Sequence, residues 1–269
     1  MSLAVPFVKG HGTENDFILV PDPEGVLSLL PEQVRRICDR RAGLGADGVL
    51  RVVRSSRQPG AEPDAPAAPW FMDYRNADGS VAEMCGNGVR VFARYLVDAG
   101  LAPAGSLRLA TRHGIRDVEL GPVGDVTVDM GLAVVGEPTR IDGAPATSVD
   151  MGNPHAVVHV PSVGGLGVLA PDRTDLNVEY VEDLGPAAIG MRVHERGVGE
   201  TRSCGTGACA AVVATALRTG TPRGTPFQVT VPGGRLTVTW REDGHVLLRG
   251  PAVLVAHGEL RAEWLEGTG

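Results

Sequence analysis

Lysine is almost missing from this chain: of 25 basic residues in 269, only Lys9 is a lysine. A Walker phosphate loop ends in Gly-Lys-Ser/Thr, and Lys9 is followed by Gly10, so that class of NTPase is excluded. A pyridoxal-phosphate enzyme needs a Schiff-base lysine. Lys9, lying ahead of the first expected strand at Asn15, is a poor sole candidate. Basic charge is also in deficit, with 32 acidic residues and a net charge of -7, which leaves no basic field for nucleic acid or an anionic membrane. Apolar runs stay well short of the roughly 18 residues that a membrane span needs, and Met1–Gly12 does not read as a leader. A soluble, cytoplasmic protein is expected. The four cysteines, at 38, 85, 204 and 209, show no C-x-x-C spacing and are too sparse for a disulfide framework, so reduced thiols are the default.

Glycine is abundant, at 37 residues or about twice the ordinary share, and is expected in turns, helix ends and close backbone approaches. Short β-branched runs recur at 17–20, 49–53, 126–130, 156–160, 229–231, 236–240 and 246–248, each bounded by Gly, Pro, Asp or Ser. The chain therefore reads as strand-rich. Helices are expected over 31–41, 88–99 and 207–219, the last two stopping at Gly100 and Gly220. The third is apolar nearly all round, as a buried central helix would be. The Pro/Ala-rich stretch 55–69 is expected to be a surface loop.

An internal repeat organises these pieces. Residues 72–100 line up with 191–220: a methionine 13 residues before each cysteine, a Cys-Gly-x-Gly, a helical run and a closing glycine. Upstream, Asn15 and Asn153 each lead into a strand. The expected fold is α+β, with two pseudo-symmetric halves. The symmetry would place Cys85 and Cys204 across a cleft from one another.

Two glycine patterns and one histidine pair are set aside. Gly43–Gly48 matches G-x-G-x-x-G but follows a helix and precedes a strand, the reverse of a dinucleotide site. Gly205–Ala210 fits the looser form, yet no acid occurs from Thr201 to Arg241 to bind a ribose. His155 and His159 share a strand face but lack further ligands, so no metal is expected. The duplicated Cys-Gly-x-Gly remains. A cysteine at a helix N-terminus feels the positive end of the helix dipole, which favours thiolate, and flanking glycines let backbone N–H groups approach an anion. Cys38 and Cys209 lie inside helical runs and are expected to be merely buried.

With NADGSVAEMCGNGVR around Cys85, Met151-Gly152-Asn153-Pro154-His155, ERGVGETRSCGTGACA over 195–210, GTENDF over 12–17, and Asn177, the chain resembles the diaminopimelate epimerases along nearly its whole length. The resemblance implies cofactor-independent interconversion of LL- and meso-2,6-diaminopimelate for lysine and peptidoglycan precursors. It also implies a fold in which each half is a mostly antiparallel sheet wrapped around its Cys-led helix. The halves would be residues 1–129 with 250–269, and 130–249. It is compatible with a homodimer acting on a small-molecule substrate.

Inverting a Cα centre takes a proton from one face and delivers one to the other, so thiolate and thiol at Cys85 and Cys204 form a matched pair. Backbone N–H groups of Gly86, Asn87, Gly205 and Thr206 would hold the α-carboxylate where enolate-like charge develops. By resemblance, His155 and Glu195 flank the reacting centre, Glu195 pairing the α-ammonium, while Asn15, Asn76, Asn153, Asn177 and Arg196 hold the distal end. Gly48 departs from the pattern, since many members carry Gln there. Two alternatives stay open: a related proline or hydroxyproline racemase, and an amino-acid-binding or thiol-redox protein.

Overall fold

Strand β1 (Val5–Gly12) turns into β2 (Asn15–Pro21) through Thr13 and Glu14, both at positive φ (51° and 61°), as a two-residue hairpin turn demands. The computed structural model describes residues 4–267. Helix α1 (Pro31–Cys38) buries Val34, Ile37 and Cys38 on the same cluster as Ile18, Val20 and Val49. It stops short of the expected Arg41 because Asp39 is extended and its carboxylate accepts the N–H groups of Arg41 and Ala42, both at 2.7 Å. A side chain that captures backbone donors in this way competes with the helix.

Strand β3 (Gly48–Arg54) pairs parallel to β2, and β4 (Trp70–Asn76) antiparallel to β3. Between them, residues 55–69 form a loop with two short 3-10 turns. Helix α2 (Gly86–Asp98) follows, then β5 (Gly105–Thr111), parallel to β4, and β6 (Gly114–Leu120), antiparallel to β5. The second half begins with β7 (Val126–Leu132), β8 (Val134–Val135), β9 (Thr139–Ile141) and β10 (Ala144–Asp150). Next come β11 (Pro154–His159), β12 (Asn177–Gly185), β13 (Ala188–Glu195) and β14 (Gly199–Thr201). Helix α3 (Gly205–Thr219), β15 (Pro226–Val231), β16 (Gly234–Trp240) and β17 (His245–Gly250) complete it. Strand β18 (Val253–Leu260) then pairs antiparallel with β1, ahead of α4 (Ala262–Glu266).

The chain divides into two compact units: one holds the chain through Gly12, Asp16–Val126 and everything from Ala252; the other holds Thr13–Asn15 and Thr127–Pro251. Their wiring repeats. The order antiparallel, parallel, antiparallel that links β6, β5, β4 and β3 recurs from β16 through β15 and β13 to β12. A second parallel pair, β2 with β3 and β11 with β12, follows in each. The fold is α+β, with each mostly antiparallel sheet enclosing one helix: α2 packs on β1, β3–β6 and β18, and α3 on β10–β13 and β15–β17.

Enclosure explains the composition of α3. Ala208 through Ala214 are at most 1% exposed, and their small side chains let strands close in on every side. The helix ends at Gly220 in the left-handed conformation, φ 70°. The first strands alternate: Ile18 and Val20 face α1, while Phe17 faces α2. The lone lysine is structural. Lys9 Nζ donates to Gly45 O at 2.6 Å and Leu44 O at 3.2 Å and pairs with Asp16 at 3.1 Å, pinning the glycine turn after α1.

Candidate active site

Both signature cysteines are helix N-caps. Cys85 is extended (φ -145°, ψ 119°) and its Sγ accepts the Gly88 N–H at 3.5 Å. Cys204 is also extended (φ -120°, ψ 120°), with Sγ accepting from Gly207 at 3.4 Å and lying 3.4 Å from the Thr206 hydroxyl. Each helix begins one residue after its cysteine, two residues earlier than the apolar spacing suggests. Gly86 and Asn87 open α2, and Gly205 and Thr206 open α3. Backbone N–H groups in a first turn have no partner within the helix, so each mouth carries donors suited to an anion.

The two thiols sit in different surroundings. Cys85 is half-buried, Cys204 buried. Burial pushes the Cys204 thiol well above its ordinary range, and the carboxylates of Glu195 and Glu179 push it further; the Thr206 hydroxyl and Gly207 N–H oppose them without prevailing. The helix-dipole bias toward thiolate is therefore outweighed at Cys204.

Around Cys204 lie most of the candidates of the second unit. His155 is 1% exposed; its Nδ1 is 2.7 Å from Glu179 Oε1 and its Nε2 is 3.0 Å from Asn153 Oδ1. Asn177 clamps two neighbouring segments: its amide donates to Pro154 O at 3.0 Å, and its Oδ1 accepts the Arg196 backbone N–H at 3.0 Å. The Arg196 side chain is exposed. Glu195 ends β13, and the Thr201 hydroxyl donates to its Oε1. Asn15 belongs to this unit as well. Nearby in the chain, the Thr13 and Ser203 hydroxyls meet at 2.6 Å, tying the residue before Cys204 in place. In the first unit, Asn76 donates its amide to Ser80 Oγ at 3.0 Å and its backbone N–H to Ser80 O at 2.9 Å. These bonds shape the turn that leads toward Cys85.

Two participants, Glu179 and Thr201, are absent from the sequence reading, which names Thr206 for its backbone N–H alone. Only Glu179 left a signal, as an acid inside the apolar run of β12. The histidine pair resolves into separate contacts, since His159 Nε2 meets the Thr215 hydroxyl of α3 at 3.0 Å. Among the described residues, no group of three or more His, Cys, Asp or Glu is arranged to hold a metal ion. Cys209 and Cys38 are both buried; burial, with Asp16 and Asp47 nearby, pushes the Cys38 thiol up to about 12. None of the four cysteines forms a disulfide.

The architecture is shared with solved structures of low sequence identity. A PhzF-family phenazine biosynthesis protein from Bacillus anthracis matches with TM-score 0.72 at 16% identity, over 96% of this chain and 99% of its own. A hydroxyproline epimerase from Agrobacterium vitis matches with TM-score 0.69 at 15% identity, over 96% and 92%. These likenesses define the fold class. The family follows from sequence: the diaminopimelate epimerase family model matches residues 7–135 and 147–255. A diaminopimelate epimerase of Streptomyces coelicolor is 55% identical over 99% of both chains, and one of Thermobifida fusca 50% identical over 95% of this chain and 97% of its own. The chain belongs to the diaminopimelate epimerase family.

Proposed function

We propose that this protein interconverts LL- and meso-2,6-diaminopimelate by proton transfer at one α-carbon, supplying lysine and peptidoglycan-precursor synthesis. The observation that carries the reading is the pair of N-capping cysteines on two repeated helices, in a chain whose relatives at about half identity bear that name. One thiolate removes the Cα proton while the other cysteine's S–H delivers its proton to the opposite face. The proton count is unchanged, and the roles reverse in the other direction. Burial and two carboxylates favour the thiol form of Cys204, which makes it the acid and Cys85 the base in this assignment.

An amino-acid Cα–H is far less acidic than a thiol, so most of the barrier falls to stabilising the carbanion-like transition state. Donors for the α-carboxylate are the N–H groups of Gly86 and Asn87 on one helix and Gly205 and Thr206 on the other. Glu195, held by Thr201, pairs the α-ammonium; His155 flanks the reacting centre. Asn15, Asn76, Asn153, Asn177 and Arg196 bind the distal ammonium-carboxylate, which is not inverted, and so confer specificity on a near-symmetric thiol pair. Gly48 offers no side chain toward that end. We read the enzyme as cytoplasmic; no helix among the described residues is long and apolar enough to cross a membrane.

A proline-type racemase would need no distal polar set, and the hydroxyproline epimerase shares only the fold at 15% identity. The test is to incubate the reduced enzyme separately with LL-diaminopimelate and L-proline and resolve the stereoisomers by chiral chromatography. Conversion of the first alone is expected. Conversion of proline, or of neither, sinks the proposal.

A further inference from the structure

The repeat permits a position-by-position comparison of what lies beneath each cysteine. In the first half Phe17 pairs with Gly48 across the parallel strands; in the second His155 pairs with Asn177. Counting from Asn15 and Asn153, Phe17 and His155 are equivalent. Two residues along the partner strand from Gly48 and Asn177 stand Leu50 and Glu179, which are therefore equivalent too. Phe17 and Leu50 lie under the third residue after Cys85, and Glu179, which meets His155, lies under the third residue after Cys204. A Cβ on Gly88 would meet Leu50 Cδ2 at 3.5 Å and Phe17 Cζ at 3.6 Å; one on Gly207 would meet Glu179 Oε1 at 2.6 Å. Where the first half has an apolar support under its helix mouth, the second has a histidine and a carboxylate.

Stability does not explain this polar pair. The His155 and Glu179 side chains are 0% exposed. Glu179 Oε2 has no hydrogen-bond partner among the described residues. Burying a carboxylate with one oxygen unsatisfied is unfavourable, and packed apolar residues of similar volume commonly serve a fold as well or better. The first half shows such a solution in the same framework. Room for the carboxylate also depends on Gly207, a residue otherwise unfavourable in a helix.

We propose that Glu179 is a positioning residue that fixes His155 for the reaction: its Oε1 accepts the Nδ1 proton, which locks the ring's orientation and leaves Nε2 directed to Asn153. This rests on the functional reading above, in which His155 and Asn153 line the site. Both ring nitrogens face oxygen acceptors, an arrangement that a doubly protonated ring satisfies as it stands, or a neutral ring after the Asn153 amide turns over. In either case Nδ1 carries the proton. A carboxylate that holds one imidazole nitrogen dictates what the other can do.

Long-range proton–nitrogen NMR of histidine-labelled wild-type enzyme tests the contact directly. His155 Nδ1 is expected to be protonated, and a ring protonated on Nε2 alone overturns the proposal. Kinetics with LL-diaminopimelate tests the role. In Glu179→Gln, kcat should fall about 10- to 100-fold, as when a carboxylate that orients a metal-bound histidine is removed, with KM within about threefold. An unchanged kcat overturns it. The double variant His155→Phe/Glu179→Leu copies the first half's support and should melt at or above the wild-type temperature while inactive. Melting about 10 °C or more below wild type would make the pair structural, a loss of several kcal/mol in a chain of this size. If wild-type enzyme fails to form the meso isomer, the functional reading falls instead, and the Nδ1 measurement still decides whether Glu179 holds the ring.

Discussion

The two halves share strand pairings, cysteine caps and helix lengths near each other, yet one helix mouth rests on Phe17 and Leu50 and the other on His155 and Glu179. The common part is what folding and anion binding require: an enclosed helix, capped by a cysteine, whose first-turn N–H groups have no acceptor within the helix. The divergent part is chemical. A duplicated scaffold supplies two similar thiols; the groups beneath and beside them make the thiols unequal, with Glu179 and Glu195 near Cys204. Inequality suits a pair that must begin each turnover with one proton between them.

The largest expected effect comes from removing either thiol. Cys85→Ser and Cys204→Ser should each lower epimerisation by about 10³-fold or more, since a serine hydroxyl is a far weaker acid than a thiol and supplies no anionic base near neutral pH. Steady-state rates against circular dichroism of the folded variants check this, and a variant retaining a tenth of the activity would remove its cysteine from the acid/base pair.

Labelling sharpens the contrast between the thiols. With iodoacetamide near pH 8, Cys85, which is half-buried, should react at least about tenfold faster than Cys204, because only the thiolate attacks and the buried Cys204 is held as thiol. Cys38, pushed up to about 12, should stay unmodified until the protein unfolds. Peptide mass spectrometry reads all four sites, and faster labelling of Cys204 than of Cys85 would reverse the assigned asymmetry.

A smaller effect separates the equivalent glycines. Gly207→Ala would force a methyl to 2.6 Å from Glu179 Oε1 and 3.3 Å from Cys204 Cβ, whereas Gly88→Ala meets nothing closer than 3.5 Å. The first should destabilise by about 1–3 kcal/mol through overpacking. The second should be neutral or gain up to about 1 kcal/mol of helix propensity. Urea denaturation of both would show whether the carboxylate sets the demand for glycine in one half only; equal losses would say that it does not.

The smallest effect lies away from either cysteine. Burial pushes the Asp73 carboxyl up, but hydrogen bonds and charge from Arg75 and Arg112 outweigh it and hold the carboxyl below the usual range. A depressed folded value contributes stability above the unfolded value of about 3.9 and loses it as pH falls through the folded one. Asp73→Asn should therefore melt below wild type at pH 7, with the gap closing under about pH 4. A gap that stays constant down to pH 2 would mean that the network does not act through ionisation.

The sequence exposed the repeat, the Cys-led helices and the strands rich in Val and Leu because each is a local pattern. The hairpin of β5 and β6 escaped because its outward positions are charged: Arg108 and Asp117 pair across it at 2.8 Å, which breaks up the apolar run. The apolar spacing places the starts of α2 and α3 two residues late because Gly86, Asn87, Gly205 and Thr206 carry no apolar signal, though the capping cysteines fix where the first turn begins. Within the site, residues fixed by motif were legible and residues fixed by pairing were not. His155 sits in a recognisable Asn-Pro-His; Glu179 lies 24 positions away and meets it only through the parallel register of β11 and β12. Thr201, which holds Glu195, likewise depends on the β13–β14 ladder.

The central claim, that two cysteines transfer protons at the same carbon from opposite faces, is tested most directly by where solvent deuterium first appears. LL-diaminopimelate incubated with the reduced enzyme in D2O is sampled at early conversion, and proton NMR with mass spectrometry is applied to both isomers. The expected result is meso product carrying one α-deuterium beside unreacted LL substrate that carries none, because the donating thiol has equilibrated with solvent while the accepting one holds the abstracted proton. Early meso product that retains its α-proton would point to a single base returning the same proton, and would contradict the two-cysteine account.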